Sequence, residues 1–170
     1  MRIFKASENA KIPEFQTEGS AGFDLRACFD ANTQVTFYNP HHKKLQYPVK
    51  KSSQGRLYSQ IQPSFRALIP TGLIFDIPRK HVLKLFIRSS MALKNGLFLA
   101  NSTAIIDSDY IDPTYILVFN ASDTPVTIYH DERIAQGILE KTFTYTLEET
   151  TKKPKQKTER DGGMGSTGTE

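Results

Sequence analysis

Apolar residues fall along this chain in short runs, each broken by Gly, Pro, Asn or Asp. From residue 66 onward they read RALIPTGLIFDIP (66–78), HVLKLFIR (81–88), NGLFLAN (95–101), TAIID (103–107), TYILVFN (114–120), TPVTIY (124–129) and RIAQGILEKTFTYTL (133–147). Runs this short, rich in β-branched and aromatic residues and closely spaced by turn residues, predict an all-β sandwich or barrel. Helical spacing is scarce. The one segment that carries it is SSMALKNG, Ser89 to Gly96, where a serine is placed to cap the start and Asn95-Gly96 to end it.

Two stretches depart from the strand pattern. HHKKLQYPVKKSSQGR (41–56) holds Lys43, Lys44, Lys50, Lys51 and Arg56 with no acid, and reads as a long basic surface loop inserted in the domain. EETTKKPKQKTE (148–159) is charged and poor in apolar residues, and leads into a terminal segment with four glycines within seven residues. The expected organisation is one β domain over 1–147, a linker over 148–158 and a glycine-rich segment over 159–170. That last segment reads either as a solvated tail or as a flap that wraps an anion. Glycine lets backbone N–H groups approach a phosphate, and Arg160, Ser166 and Thr167 add donors.

At 170 residues the chain is long enough for one domain with a real core. Cys28 is its single cysteine, which excludes an intramolecular disulfide and a thiolate zinc cluster and fits a reducing cytoplasm. No apolar run approaches membrane-spanning length, and the first residues lack a signal-peptide core. A net charge of +4 suits a polyanionic partner without separating nucleotide from nucleic acid, so a nucleic-acid or protein partner on the basic segment stays open.

Four places carry candidate chemistry. In FIRSSMALKNG, Arg88 closes an apolar strand, and Ser89 and Ser90 open the short helix. The arrangement suits a phosphate, or is an ordinary capped helix beside a surface arginine. In NSTAIIDSDYIDPTYILVFN (101–120), two strands flank a polar turn. Asp107 follows two isoleucines and is a candidate general base toward water, and Tyr110 has a ring suited to a sugar. Turns favour Asp and Ser for backbone reasons as well. In TEGSAGFDLRA (17–27), Asp24 either binds a metal or pairs with Arg26. In DERIAQGIL (131–139), Gln136 lies within an apolar strand, where an inward amide needs a partner: a phosphate, a water or backbone.

The order of these pieces is more specific than any of them. SAGFDLRA, then RSS, then IDSDY, then ERIAQ, then a terminal arginine with GGMGSTG resembles the five motifs of the trimeric dUTPase family, and IPTGL (69–73) between the first two is similar to that family as well. The resemblance runs from about Arg2 to Gly168, apart from the basic segment. It implies a distorted jelly-roll β-barrel, a homotrimer with active sites at subunit interfaces, and Mg²⁺-assisted hydrolysis of dUTP to dUMP and pyrophosphate. Such an activity limits uracil in DNA and supplies dUMP for dTMP synthesis.

Carried over by motif, Asp107 resembles the residue that activates water. Asn101, the Ala104–Asp107 backbone with Ile105 and Ile106, and Tyr115 resemble the slot that reads uracil. Tyr110 resembles the deoxyribose platform. Arg88, Ser89, Ser90 and Gln136 resemble phosphate contacts, with Gln136 counted in the catalytic set. Asp24 resembles the acid near Mg²⁺, acting through water. Arg160, Met164, Gly165, Ser166 and Thr167 resemble the closing flap. The chain departs from the pattern at Asp161, alone between Arg160 and the glycines, at Met164 in place of an aromatic, at Ala104 in place of glycine, and at Tyr110-Ile111-Asp112-Pro113 in place of Tyr-x-Gly. The neighbouring deaminase pattern needs a glutamate where this chain has Leu117, and it lacks the glycine-rich end. A binding or regulatory protein on the same fold is the other alternative.

Overall fold

In the computed structural model, which describes residues 1–159, the apolar runs become strands that pair antiparallel, most of them to distant partners. The strands are β1 (Arg2–Lys5), β2 (Phe23–Arg26), β3 (Gln34–Tyr38), β4 (Lys44–Pro48), β5 (Lys50–Lys51), β6 (Leu57–Ile61), β7 (Arg66–Pro70), β8 (Leu73–Asp76), β9 (His81–Ile87), β10 (Leu97–Leu99), β11 (Ala104–Ile106), β12 (Tyr115–Asn120), β13 (Val126–Tyr129) and β14 (Arg133–Lys141). One helix, α1 (Ser89–Asn95), lies between β9 and β10. The protein is therefore all-β with one short helix, as the periodicity predicts.

The strands form four hydrogen-bonded sheets rather than one closed barrel: β10-β12-β7-β3-β4, β11-β9-β14-β2, β13-β6-β5 and β1-β8. Alternation decides which side faces in. In β12, Ile116, Val118 and Asn120 are buried while Tyr115, Leu117 and Phe119 point outward. The inward positions of the sheets meet in one core that includes Leu25, Phe29, Phe37, Ile69, Phe75, Leu83, Leu85 and Ile116. Burying a side chain of this size contributes roughly 1.5–3 kcal/mol, so the core holds the layers and the exposed rims are left for function. Gly72 turns the chain between β7 and β8 at φ +68°, and an added Cβ there would lie 2.8 Å from Cys28 Sγ and 2.9 Å from the Ala10 Cβ. Only glycine meets both demands.

The basic segment is not a loop. Residues Lys44–Pro48 form β4, paired along its whole length with β3 in the register Tyr38↔Lys44 to Gln34↔Pro48. Lys50–Lys51 form β5 on the edge of another sheet. Its lysines and few apolar residues hid a strand because an edge strand needs only one apolar side. Here that side is Leu45 and Tyr47. Asn39 closes the β3–β4 turn, its side-chain oxygen accepting from the N–H groups of His41 and Lys43.

The helix also begins one residue earlier than a serine cap requires. Arg88, extended at φ −69° and ψ 140°, is the N-cap residue, no side chain caps the start, and Ser89 is the first helical residue. Gly96 ends the helix in the left-handed conformation, φ 62°, with its N–H bonded back to Ala92 and Met91 carbonyls. Beyond β14 the described residues carry no regular secondary structure through Glu159 and are exposed from Lys141 onward. The expected flap, with Arg160, Met164, Gly165, Ser166 and Thr167, lies outside the described residues.

Candidate active site

Strand β9 organises the site, because it carries one group of candidates at each end. Its C-terminal end delivers Arg88 to a buried carboxylate. Asp24 on β2 is only 3% exposed at its side chain. Arg88 Nε lies 3.2 Å from its Oδ1, and Arg133 Nη1 lies 3.1 Å from its Oδ2. Gln136 Nε2 donates to Oδ1 at 3.4 Å. The pairing register explains the meeting: Gln136 on β14 stands opposite Asp24 on one side and Phe86 on the other. A carboxylate so removed from water needs such partners, since an unpaired buried charge costs several kcal/mol. Arg88 further donates to the Arg133 carbonyl at 3.3 Å, and Arg133 to Gln16 Oε1 at 2.8 Å.

Two expectations change here, and one further residue enters. Asp24 pairs with Arg88 and Arg133, whereas Arg26 turns to Asp131, through Oδ1 at 3.2 Å and the backbone carbonyl at 2.8 Å. Gln136 is exposed rather than inward, because β14 puts Ile134, Ala135 and Gly137 inside and leaves residue 136 on the outer side. Arg133 joins the cluster without having been singled out. The signal was its place in ERIAQ, three residues before Gln136, where a β-bulge between Arg133 and Ala135 re-aims the strand. Ser89 is exposed and Ser90 half-buried in the first turn beside Arg88.

The N-terminal end of β9 carries the other group. β11 pairs with β9 in the register Ala104↔Leu85 to Ile106↔Leu83, so Asp107 emerges beside Val82. It lines an open depression of about 500 Å³ with His81, Ile105, Ser108, Asp109 and Thr142. Asp107 is exposed, and its carbonyl accepts from the Tyr110 N–H at 3.1 Å, closing the turn. The Tyr110 hydroxyl donates to the Pro113 carbonyl at 3.2 Å. Burial and the neighbouring Asp112 carboxylate, with Tyr115 adding, raise its phenol above the usual range.

The expected hairpin is not a hydrogen-bonded ladder. β11 belongs with β9, and β12 belongs with β7 and β10, so the two strands flank the polar turn in different sheets. β11 is the edge of its sheet, and Ile105 is 53% exposed on it. On the far side Tyr115 is exposed and pairs only toward Pro70. A three-residue backbone edge is therefore open between the strands, able to hydrogen-bond a flat, strand-like partner. Asn101 stands at the entrance, exposed, its carbonyl accepting from the Thr103 N–H at 2.7 Å.

The two ends do not meet within one chain. From Val82, beside Asp107, to Arg88 is six residues of extended strand, about 20 Å at the usual rise. Among the described residues no group of three or more His, Cys, Asp or Glu side chains gathers to hold a metal ion. Both Asp24 oxygens already accept from guanidinium or amide donors, which does not fit a directly coordinated, protein-built metal cage.

On a frame of antiparallel sheets, β9 thus carries an arginine-paired carboxylate at one end and an acidic turn beside an open strand edge at the other. The sequence profile of the dUTPase family matches residues 57–168, starting directly after the basic segment, and the chain belongs to that family. It is 33% identical over 165 residues to the deoxyuridine 5′-triphosphate nucleotidohydrolase of Brucella melitensis, covering 95% of this chain and 89% of that one. The enzyme of the same name from Rhizobium rhizogenes is 32% identical over 157 residues, covering 92% and 85%. Among solved structures, the Streptococcus mutans dUTPase superposes with a TM-score of 0.62 at 25% identity, covering 83% of this chain and 92% of the other. A point mutant of the Staphylococcus bacteriophage 80alpha dUTPase, solved with dUpNHpp, superposes with a TM-score of 0.73 at 21% identity, covering 98% and 97%.

Proposed function

We propose that this chain hydrolyses dUTP to dUMP and pyrophosphate, with Asp107 as the general base that takes a proton from the attacking water. The observation that carries this reading is the position of Asp107, exposed at the mouth of the open slot between β11 and β12. In the slot, the free backbone edge of Ile105 and Ile106, with Asn101 and Tyr115, reads the hydrogen-bonding edge of uracil, and Tyr110 packs on the deoxyribose. At the other end of β9, Arg88, Ser89, Ser90 and Gln136 receive phosphates.

The separation of about 20 Å along β9 supports two chains per site, in keeping with a homotrimer whose active sites lie between subunits. One chain supplies the slot and Asp107, and its neighbour supplies Arg88, Gln136 and Asp24. Asp24 is the residue that would hold a triphosphate-bound Mg²⁺ through water, and such an ion would offset the phosphate charge and polarise the attacked phosphorus; a structural Mg(II) ion is described for a mutant dUTPase from phage phi11 of S. aureus. The glycine-rich end, with Arg160, Met164, Gly165, Ser166 and Thr167, closes over the nucleotide and excludes water. Pyrophosphate release measured in parallel on dUTP, dCTP, dTTP and UTP tests the reading. Rapid turnover confined to dUTP is expected, and equal rates on UTP or dCTP would reject the slot assignment.

A further inference from the structure

Between Asp30 and Asp76 the chain has no acidic residue, but it has Lys43, Lys44, Lys50, Lys51, Arg56 and Arg66. Removing these six from the 22 Lys and Arg leaves 16 against 18 acids, a balance of −2, so the whole net positive charge of +4 lies in this one segment. The ion pairs among the described residues involve Arg2, Lys11, Arg26, Lys84, Arg88 and Arg133, and none of these six. Five of the six are exposed, and Arg66 is half-buried. The four lysines ride on or beside β4 and β5, consecutive in the chain and each the edge strand of its own sheet.

Lysine on an edge strand also serves to stop sheets pairing edge to edge. That role needs no apolar cleft, and this rim has one. Residues of β4 help to line a cavity of about 310 Å³ walled by Phe37, Tyr47, Pro48 and Phe65, which Lys50 and Gln60 also line. Tyr47 is 50% exposed, and its ring is tilted 50° to Phe37 at 5.6 Å between centroids. Nearby on the outer side of β6 and β13, Tyr58 and Tyr129 pack together at 5.8 Å with the Arg56 guanidinium 4.4 Å over the Tyr129 ring. Unneutralised cations beside an exposed aromatic ring, here Tyr47, are the chemistry that holds an unpaired strand: ammonium groups take phosphates and the ring takes a base.

We propose that the β4–β5 rim binds single-stranded nucleic acid, seating an unstacked base against Tyr47 while Lys43, Lys44, Lys50 and Lys51 contact the backbone. A duplex cannot offer such a base without unpairing it. An acidic protein would use the charge but not the cleft. The surface lies on strands other than those carrying Asp107 and Arg88, so occupancy and dUTP turnover are separable.

The test is fluorescence anisotropy of a labelled oligothymidylate of about 20 nucleotides, long enough to span the site sizes known for such surfaces, titrated with the full chain at low salt. Binding is expected to persist with a non-hydrolysable dUTP analogue present and to exceed that of a duplex of equal length about tenfold. Tyr47→Leu should weaken it about tenfold, the loss of one stacked base, while Tyr47→Phe keeps it. Replacing the four lysines with Gln should make the slope of log affinity on log salt shallower by about 3, at the usual 0.7 per phosphate contact, with dUTP hydrolysis unchanged. Failure to bind, equal affinity for the duplex, displacement by the analogue, or unchanged binding in the lysine variant would each overturn the proposal. Unchanged binding in Tyr47→Leu would overturn it too, and would assign the rim to acidic partners in general.

Discussion

If Asp107 and Arg88 of one chain serve different sites, two dead proteins should make a live one. Asp107→Asn leaves a group that can orient water but not accept its proton, and general-base removal lowers turnover by about 10²–10⁴. Arg88→Gln keeps a hydrogen bond for Asp24, which retains Arg133 as its ion-pair partner, but removes the charged fork from the phosphate end. Each variant alone should form a folded trimer with little turnover. When the two are unfolded together in equal amounts and refolded, a site works only if its Asp107 comes from the arginine variant and its Arg88 from the aspartate variant. Each condition is met about half the time in random assembly, so about a quarter of all sites are complete. Pyrophosphate release from the mixture should therefore recover to about a quarter of the wild-type rate, far above the sum of the two variants. The expectation rests on the length of β9, which keeps the two residues too far apart to share a site, and on random mixing of the chains. If mixed trimers are verified by tagged pull-down and the rate stays at the sum of the separate variants, both residues act in one subunit and the interface reading is wrong.

Arg88→Lys keeps the charge but cannot span Asp24 and a phosphate at once, so kcat/KM for dUTP should fall at least about tenfold, read by steady-state kinetics. Truncation before Thr158 removes nothing from the core and should leave the thermal melt unchanged while most turnover is lost. Gly137→Ala would bring a Cβ within 2.6 Å of the Phe23 ring in the core, and should lower stability by about 1–3 kcal/mol in urea unfolding. Asp131 loses hydration on burial, but the hydrogen bond from Lys11 and the charge of Arg26 outweigh this and hold its carboxyl below the ordinary carboxylate range. Its contribution is present above the unfolded-state value near pH 4 and is lost as pH falls through the lower folded-state value. Asp131→Asn should thus cost up to about 1 kcal/mol at pH 7 and progressively less below pH 4, followed by melting temperature against pH.

The β class was legible because alternation survives in strands such as β3, β7 and β12, and the candidate site residues were chosen because they stand in ordered motifs. What alternation could not reveal was pairing. Asp107 and Tyr115 bracket one turn and read as a hairpin, but the strands on either side of that turn join different sheets, and the slot exists because they do not pair. β4 escaped because its outward residues are Lys, Gln and Pro, a composition typical of loops, and only its register with β3 makes it a strand. Gln136 read as buried because its neighbours are apolar, yet a period of two puts every second residue of such a strand outside. Arg133 went unseen because its partner, Asp24, lies more than a hundred residues away in sequence.

The open edge of β11 has a consequence for solubility. Unpaired backbone carrying an exposed isoleucine is a template on which copies of a protein can stack into fibrous aggregates. Two features blunt it here: the edge is only three residues long, and it runs straight into a turn bearing Asp107, Asp109 and Asp112. Those carboxylates repel the same edge of a second copy, acting as gatekeepers at the end of the strand. The acid assigned to water activation thus also helps keep the slot from polymerising, and neutralising it should be felt on storage at high concentration as well as in the flask of substrate.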